Sequence, residues 1–128
     1  MRKIWVKVDP WDKDIVTTAL EGGADGIMVP PGYSDKVKTL GRIETISEDG
    51  DLKLGEDVII FNVKSGADEE EIVALTRSKL VVLQCSDWTV IPLENLIAKG
   101  AKVIAQVNTL DIHLLGNKIN HILLADQP

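Results

Sequence analysis

Lys7 and Lys64 each stand at the end of a β-rich run, Ile4-Trp5-Val6 before the first and Val58 to Val63 before the second, and polar residues follow at Asp9 and Ser65. An amine held beside apolar strand residues suits carbonyl chemistry, through a Schiff base or through proton transfer. The alternative use of either lysine is an ion pair with a neighbouring carboxylate, which is commoner in proteins than catalysis. A third place of this kind follows the apolar run Leu80-Val81-Val82-Leu83-Gln84-Cys85, where Ser86 and Asp87 end the run and Pro92 and Glu94 fit the first turn of a helix. Asp87 can also simply cap or turn, and Glu94 can satisfy a helix terminus. Gln106 and Asn108 close a further strand-like segment.

These positions have a common chemistry only if the strands that carry them run parallel, because their carboxyl ends then meet at one rim where ligands bind. On that arrangement Lys7, Lys64 and Asp87 are the candidate catalytic residues, and Asp9, Ser65, Ser86, Glu94 and Gln106 the candidate substrate-binding residues. Lys64 is the preferred anchor for a substrate carboxylate, since the acidic helix start at Glu69 to Glu71 needs a positive charge nearby if an anion is to be held there.

The order of elements fits such a sheet. Lys3 to Val8 reads as a strand ended by Asp9-Pro10. Asp12 then caps a helix bearing Ile15, Val16, Ala19 and Leu20, stopped by Gly22-Gly23. Gly26 to Val29 is a strand closed by Pro30-Pro31-Gly32, Ser34 to Leu40 a short helix, and Arg42 to Ser47 a third strand. The next segment, Glu48 to Asp57, is too polar and glycine-rich for a crossover helix. Asp49-Gly50 predicts a small hairpin or loop leading into Val58 to Val63, with one sheet face left uncovered. A helix with the acidic start Asp68 to Glu71 follows, then the unit at Leu80. Lys102 to Val107, a short helix at Leu110 to Leu115 and a last strand at His121 to Ala125 complete the chain. Alternation of strand and helix predicts an α/β fold, a parallel, barrel-like sheet of incomplete TIM type with short helices in a single domain spanning residues 1–128. Edges and apolar surface left by an unclosed sheet predict a homo-oligomer, at least a dimer.

The 128 residues carry a formal net charge of -6, which argues against a nucleic-acid or anionic-membrane partner. With 45% hydrophobic but 4% aromatic residues, the core must be aliphatic. Cys85 is the one cysteine, so no intramolecular disulfide forms, and neither a signal-peptide pattern nor a spanning apolar run occurs; the cytoplasm is the expected location. No Gly-x-Gly-x-x-Gly follows a strand and no Walker-type loop is present, so a dinucleotide site cannot be read from spacing. His113 and His121 fall too irregularly against Cys85 and the acidic residues for a zinc site, and no metal is expected.

The run Ser86-Asp87-Trp88-Thr89-Val90-Ile91-Pro92-Leu93-Glu94-Asn95-Leu96-Ile97-Ala98 closely resembles the signature of the archaeal-type 3-dehydroquinate synthase II family. Ile4-Trp5-Val6 with Ile15 to Glu21, and Leu54 to Val58 with Lys64-Ser65 and Asp68-Glu69-Glu70, resemble further family segments in the same order. The resemblance covers nearly the whole chain but only the family's amino-terminal part. It implies an NAD-dependent oxidative deamination of an amino-dideoxy-heptulosonate, followed by ring closure to 3-dehydroquinate, in an early route to aromatic amino acids. It further implies NAD as cofactor and a small, carboxylate-bearing, sugar-like substrate, with the chain completed by self-association or by a separate carboxy-terminal partner. The competing expectation is a non-catalytic binding, regulatory or assembly module that retains only the amino-terminal fold.

Overall fold

In the computed structural model, which describes residues 3–85, 93–108 and 121–125 (Leu93 and Glu94 by backbone alone), eight strands join in one sheet. They are β1 (Lys3–Lys7), β2 (Gly26–Met28), β3 (Glu44–Ser47), β4 (Leu52–Lys53), β5 (Val58–Asn62), β6 (Leu80–Gln84), β7 (Val103–Val107) and β8 (His121–Leu124). Every neighbouring pair is parallel, and the order across the sheet is β4-β3-β2-β1-β8-β7-β6-β5. Strands consecutive in sequence are therefore neighbours, β1 closes against β8, and the ends β4 and β5 meet at a bridge between Leu54 and Val58. The result is a nearly closed parallel barrel, as the alternation of elements predicts.

Side chains alternate between the two faces of each strand, and the packing separates accordingly. Trp5, Met28, Ile46, Val58, Val82, Ile104 and Leu123 form one buried cluster with Leu52, Leu54, Ile60 and Leu80 against it, so every strand contributes to the barrel interior. Trp5 is the one large aromatic there, and Gly26 makes room for it. A Cβ at Gly26 would lie 2.8 Å from Trp5 Cδ1 and 2.9 Å from Ile46 Cδ1, inside any real contact.

Short helices cover the outer face. The helices α1 (Lys13–Glu21) and α2 (Ser34–Leu40) place Val16 and Val37 against Val8, Ile27 and Val29. The helices α3 (Glu69–Leu75) and α4 (Leu93–Ala98) place Ile72 and Leu96 against Val81, Leu83 and Val103. Asp12 caps α1 as its position predicts, its Oδ1 accepting from Asp14 N at 2.9 Å and Ile15 N at 3.3 Å. Among the described residues no helix is long and apolar enough to cross a membrane.

The segment after β3 is a loop, one of the two forms its composition predicts, and it carries a short strand that the composition does not announce. No hairpin forms at Asp49-Gly50; β4 runs parallel to β3, with Ile46 opposite Leu52 and Ser47 opposite Lys53. The cause is a set of side-chain bonds that the two aspartates make. Asp49 accepts from Gly32 N at 3.0 Å, Ser34 Oγ at 3.3 Å and Ser47 Oγ at 2.5 Å. Asp51 accepts from Thr45 N at 3.1 Å and pairs with Lys38 of α2. The loop thus folds over the outer face of β3 and satisfies Thr45 and Ser47, both 0% exposed, so the face expected to lie bare for want of a crossover helix is covered by a polar loop. The chain then climbs to β5 through a single turn, Glu56 N and Asp57 N both donating to Lys53 O at 3.1 and 2.8 Å, with Gly55 at a φ of 96° that favours glycine.

Candidate functional site

Because all eight strands run the same way, the interior row of each ends in a residue at the barrel's carboxyl mouth. Counting two residues on from the interior positions Trp5, Ile60, Val82 and Ile104, of which Ile60 is only partly buried, gives Lys7, Asn62, Gln84 and Gln106. Apolar in the middle, the interior is therefore polar at this end, which in parallel barrels is where ligands bind.

Lys7, Asp9 and Glu48 line a concavity of about 240 Å3 at this mouth, floored by Met28, Leu54 and Ile60. Lys7 is half-buried, and it forms no ion pair among the described residues. The Asp9-Pro10 peptide is cis, and beyond it Trp11 stacks on Tyr33, ring centroids 5.0 Å apart and planes within 13°. That contact ties the loop after β1 to the loop after β2 and fixes the approach to Asp9. On the far side Gln84 Nε2 donates to Gln106 Oε1 at 2.9 Å, the strand register having set β6 beside β7.

The second lysine lies elsewhere on the rim. Lys64 is exposed, is not among the residues lining this concavity, and forms no ion pair among the described residues. Its backbone N–H donates to Asp68 Oδ2 at 2.8 Å, and Ser65 N donates to the same oxygen at 3.1 Å. Ser65 in turn accepts from Ala67 N at 3.3 Å, so Ser65 and Asp68 form a capping box at the 3-10 turn Gly66–Asp68 that leads into α3. Those backbone donors at Lys64 and Ser65 hold the Asp68 carboxyl below its ordinary value of 3.8. The charge that answers the acidic start of α3 is Lys99, past the end of α4, whose Nζ lies 2.5 Å from Glu69 Oε1.

The structure thus brings Lys7, Asp9 and Glu48 together at one concavity, with Gln106 and Gln84 on the same mouth and Lys64 and Ser65 at a helix start on the rim. Ser86 and Asp87, like the helix expected at Leu110 to Leu115, lie outside the described residues; Glu94 falls in the first turn of α4, its side chain outside them. Glu48 and Gln84 were not singled out by sequence reasoning. Gln84 could have been found from period-two spacing, standing two residues beyond Val82 as Gln106 stands two beyond Ile104. Among the described residues no cluster of His, Cys, Asp and Glu could hold a metal ion.

An eight-stranded parallel barrel with an ammonium, two carboxylates and two amides at its carboxyl mouth belongs to the class of α/β barrel proteins that take small polar ligands at strand ends. Within that class the relationship is specific: the family model of the 3-dehydroquinate synthase II N-terminal domain matches residues 1–112. The chain belongs to the 3-dehydroquinate synthase II family. It is 45% identical to a 3-dehydroquinate synthase of Methanoregula boonei over 97% of this chain and 39% of that protein. It is 43% identical to a 3-dehydroquinate synthase of Methanoculleus marisnigri over 87% of this chain and 33% of the relative. A 3-dehydroquinate synthase homolog of Aquifex aeolicus is 46% identical over 84% of this chain and 33% of its own length. The chain therefore spans between a third and two fifths of the relatives it matches.

Proposed function

We propose that the carboxyl mouth binds a small, carboxylate-bearing, sugar-like substrate, and that the chain acts as the substrate-binding part of a 3-dehydroquinate synthase. The reaction proposed is the family's oxidative deamination of an amino-dideoxy-heptulosonate and closure to 3-dehydroquinate, serving aromatic amino acid biosynthesis. The observation that carries this reading is the grouping of Lys7 with Asp9 and Glu48 over an apolar floor. A ligand with an anionic group and several hydroxyls meets there a cation for the first and carboxylate acceptors for the second.

In this reading Lys7 holds the substrate carboxylate or carbonyl oxygen, and Asp9 and Glu48 accept from hydroxyl or amino hydrogens. Gln84 and Gln106 offer further amide contacts, and Lys64 adds a second cation on the rim. Ser65, Ser86, Asp87 and Glu94 are proposed to complete the site, with Asp87 as the proton acceptor.

NAD enters only through the family. The described residues offer no glycine-rich strand-to-helix turn for a pyrophosphate, and a concavity of about 240 Å3 is below the size of pockets that enclose drug-sized ligands, let alone a dinucleotide. These residues do not fit the cofactor, and the contacts proposed for the substrate stand without it. We propose further that the chain associates with itself or with a separate carboxy-terminal partner in the cytoplasm. The seam between β4 and β5, joined by a single bridge, supports a contact surface, and the single cysteine suits a reducing compartment.

Two measurements test this. Calorimetry should detect 3-dehydroquinate binding to the chain and its weakening in Lys7→Ala; no binding would overturn the substrate reading. Absorbance of reduced NAD should then rise when the amino-sugar and NAD are mixed with the chain plus a carboxy-terminal family fragment. Binding without cofactor reduction in that mixture would favour the non-catalytic module.

A further inference from the structure

The opposite end of the barrel holds a second concavity, of about 280 Å3, walled by Trp5, Leu80, Ile104 and Ile122 and rimmed by Lys3, Lys102, His121 and Glu44. Strand register assembles the rim. Lys3 and His121 are paired across β1 and β8, and each precedes an interior residue, Trp5 or Leu123, by two positions. Lys102 likewise stands two residues before Ile104, and Glu44 two before Ile46. Period-two alternation turns all four toward the barrel axis at its amino end.

Two features of this rim are unexplained by packing. His121 Nδ1 is buried and has no hydrogen-bond partner among the described residues, and a buried polar atom in that state calls for a cause. Two ammonium groups and an imidazole line the concavity with one carboxylate, Glu44, while a second, Asp25, acts on the imidazole from outside the lining, in a chain whose net charge is -6. Burial, then the charges of Lys3 and Lys102, hold the imidazole below its ordinary value of 6.5, while Asp25 acts the other way. A negative guest between Lys3, Lys102 and the His121 ring would offset that concentration of positive charge.

We propose that the amino-terminal mouth of the barrel binds a small oxyanion, held by Lys3, Lys102 and His121, with any apolar body of the ligand lying against Trp5 and Ile104. The site is separate from the carboxyl mouth and does not depend on the reaction proposed there. Glu44, on the far wall, limits affinity for highly charged anions and favours a ligand whose charge is confined to one end.

The test follows the His121 imidazole by proton NMR in the 128-residue chain, with His113→Gln used to assign the signal. Inorganic phosphate and benzoate are titrated separately at low ionic strength. The proposal expects at least one of them to move the His121 titration to higher pH, the stronger binder identifying a phosphate or a carboxylate headgroup. The Lys3→Gln/Lys102→Gln variant, altered only at exposed positions, should weaken that binding at least tenfold, and Glu44→Gln should tighten it several-fold. No displacement of the His121 titration by either anion overturns the site. So does an affinity unchanged in the double lysine variant, or one not raised in Glu44→Gln.

Discussion

Gln84 on β6 donates its Nε2–H to Gln106 Oε1 on β7 at 2.9 Å, joining two strands by their side chains just where the ladder between them ends. Both side chains are half-buried, and each keeps a polar group for another partner: Gln84 its Oε1 acceptor and Gln106 its Nε2 donors. The bond therefore holds two ligand-capable amides in place at the mouth.

Removing one member of that pair should cost more than removing both. Gln106→Ala is expected to lower unfolding free energy by about 0.5–1.5 kcal/mol, since it leaves the Gln84 amide without its partner. In urea melts Gln84→Leu/Gln106→Leu should recover part of that loss; strictly additive single effects would show that the bond contributes nothing.

Gly26 is fixed by Trp5 and Ile46 together. Gly26→Ala should destabilise by about 1–3 kcal/mol, the usual cost of forcing atoms into a filled core. Trp5→Val in the same chain removes Trp5 Cδ1 and Nε1 and should relieve part of the Gly26→Ala effect, Ile46 Cδ1 keeping the rest. Equal cost of Gly26→Ala in both backgrounds would place the strain elsewhere.

Acid should loosen the barrel at β3. Asp49 is held below 3.8 first by the Ser47 hydroxyl and Asp51 first by Lys38, and Asp68 by the backbone N–H groups of Lys64 and Ser65. Lowered carboxyl values mean that their stabilisation is complete above 3.8, the unfolded value, and is lost as pH falls through the folded values. Melting temperature followed downward from neutral pH should drop steeply only below that point, and Asp49→Asn/Asp51→Asn should flatten the drop.

His121 works in the same direction at higher pH. Its folded value lies below 6.5 because of burial and of Lys3 and Lys102, so the folded state resists a proton that the unfolded chain accepts. The contribution is full above 6.5 and declines as pH falls from there. A shallow loss of melting temperature just below 6.5, absent in His121→Gln, is the expected record.

Lys64 separates a binding role from a structural one. It is exposed and its ammonium makes no ion pair among the described residues, so Lys64→Ala should leave stability within about 0.5 kcal/mol. If it anchors the substrate carboxylate, affinity for 3-dehydroquinate in calorimetry falls about tenfold, or about 1.4 kcal/mol. Unchanged affinity would remove Lys64 from the site and leave Lys7 as its cation.

The helix Ser34–Leu40 was legible to the residue, because Pro30-Pro31-Gly32 and Gly41 punctuate it on both sides. So was the parallel sheet, since runs such as Leu80 to Leu83 are apolar on both faces and so announce burial between helices and barrel interior. The strand β4 was not legible. Leu52–Lys53 is too short to carry a period, and its direction is set by Asp49 and Asp51 reaching Gly32, Ser34, Ser47, Thr45 and Lys38, contacts that no local spacing encodes. At the carboxyl mouth, Lys7 and Asp9 could be placed because they end a β-rich run that Asp9-Pro10 closes. Glu48 was hidden in a segment whose polarity says only loop, and the distribution of the two lysines over separate parts of the rim follows from barrel geometry that appears only once the sheet is closed.

The Leu54–Val58 bridge gives the ring an uneven circumference. The pair β5 and β6 is laced through five registered positions, from Val58 opposite Leu80 to Asn62 opposite Gln84, whereas β4 and β5 share one bridge. Low-energy opening of a fold begins where few bonds must break together. In deuterated solvent the amides beside Leu54 should exchange well before those of Val81 to Leu83, so that the barrel breathes like a cuff with one clasp, widening on the side where Glu48 and Leu54 edge the carboxyl mouth.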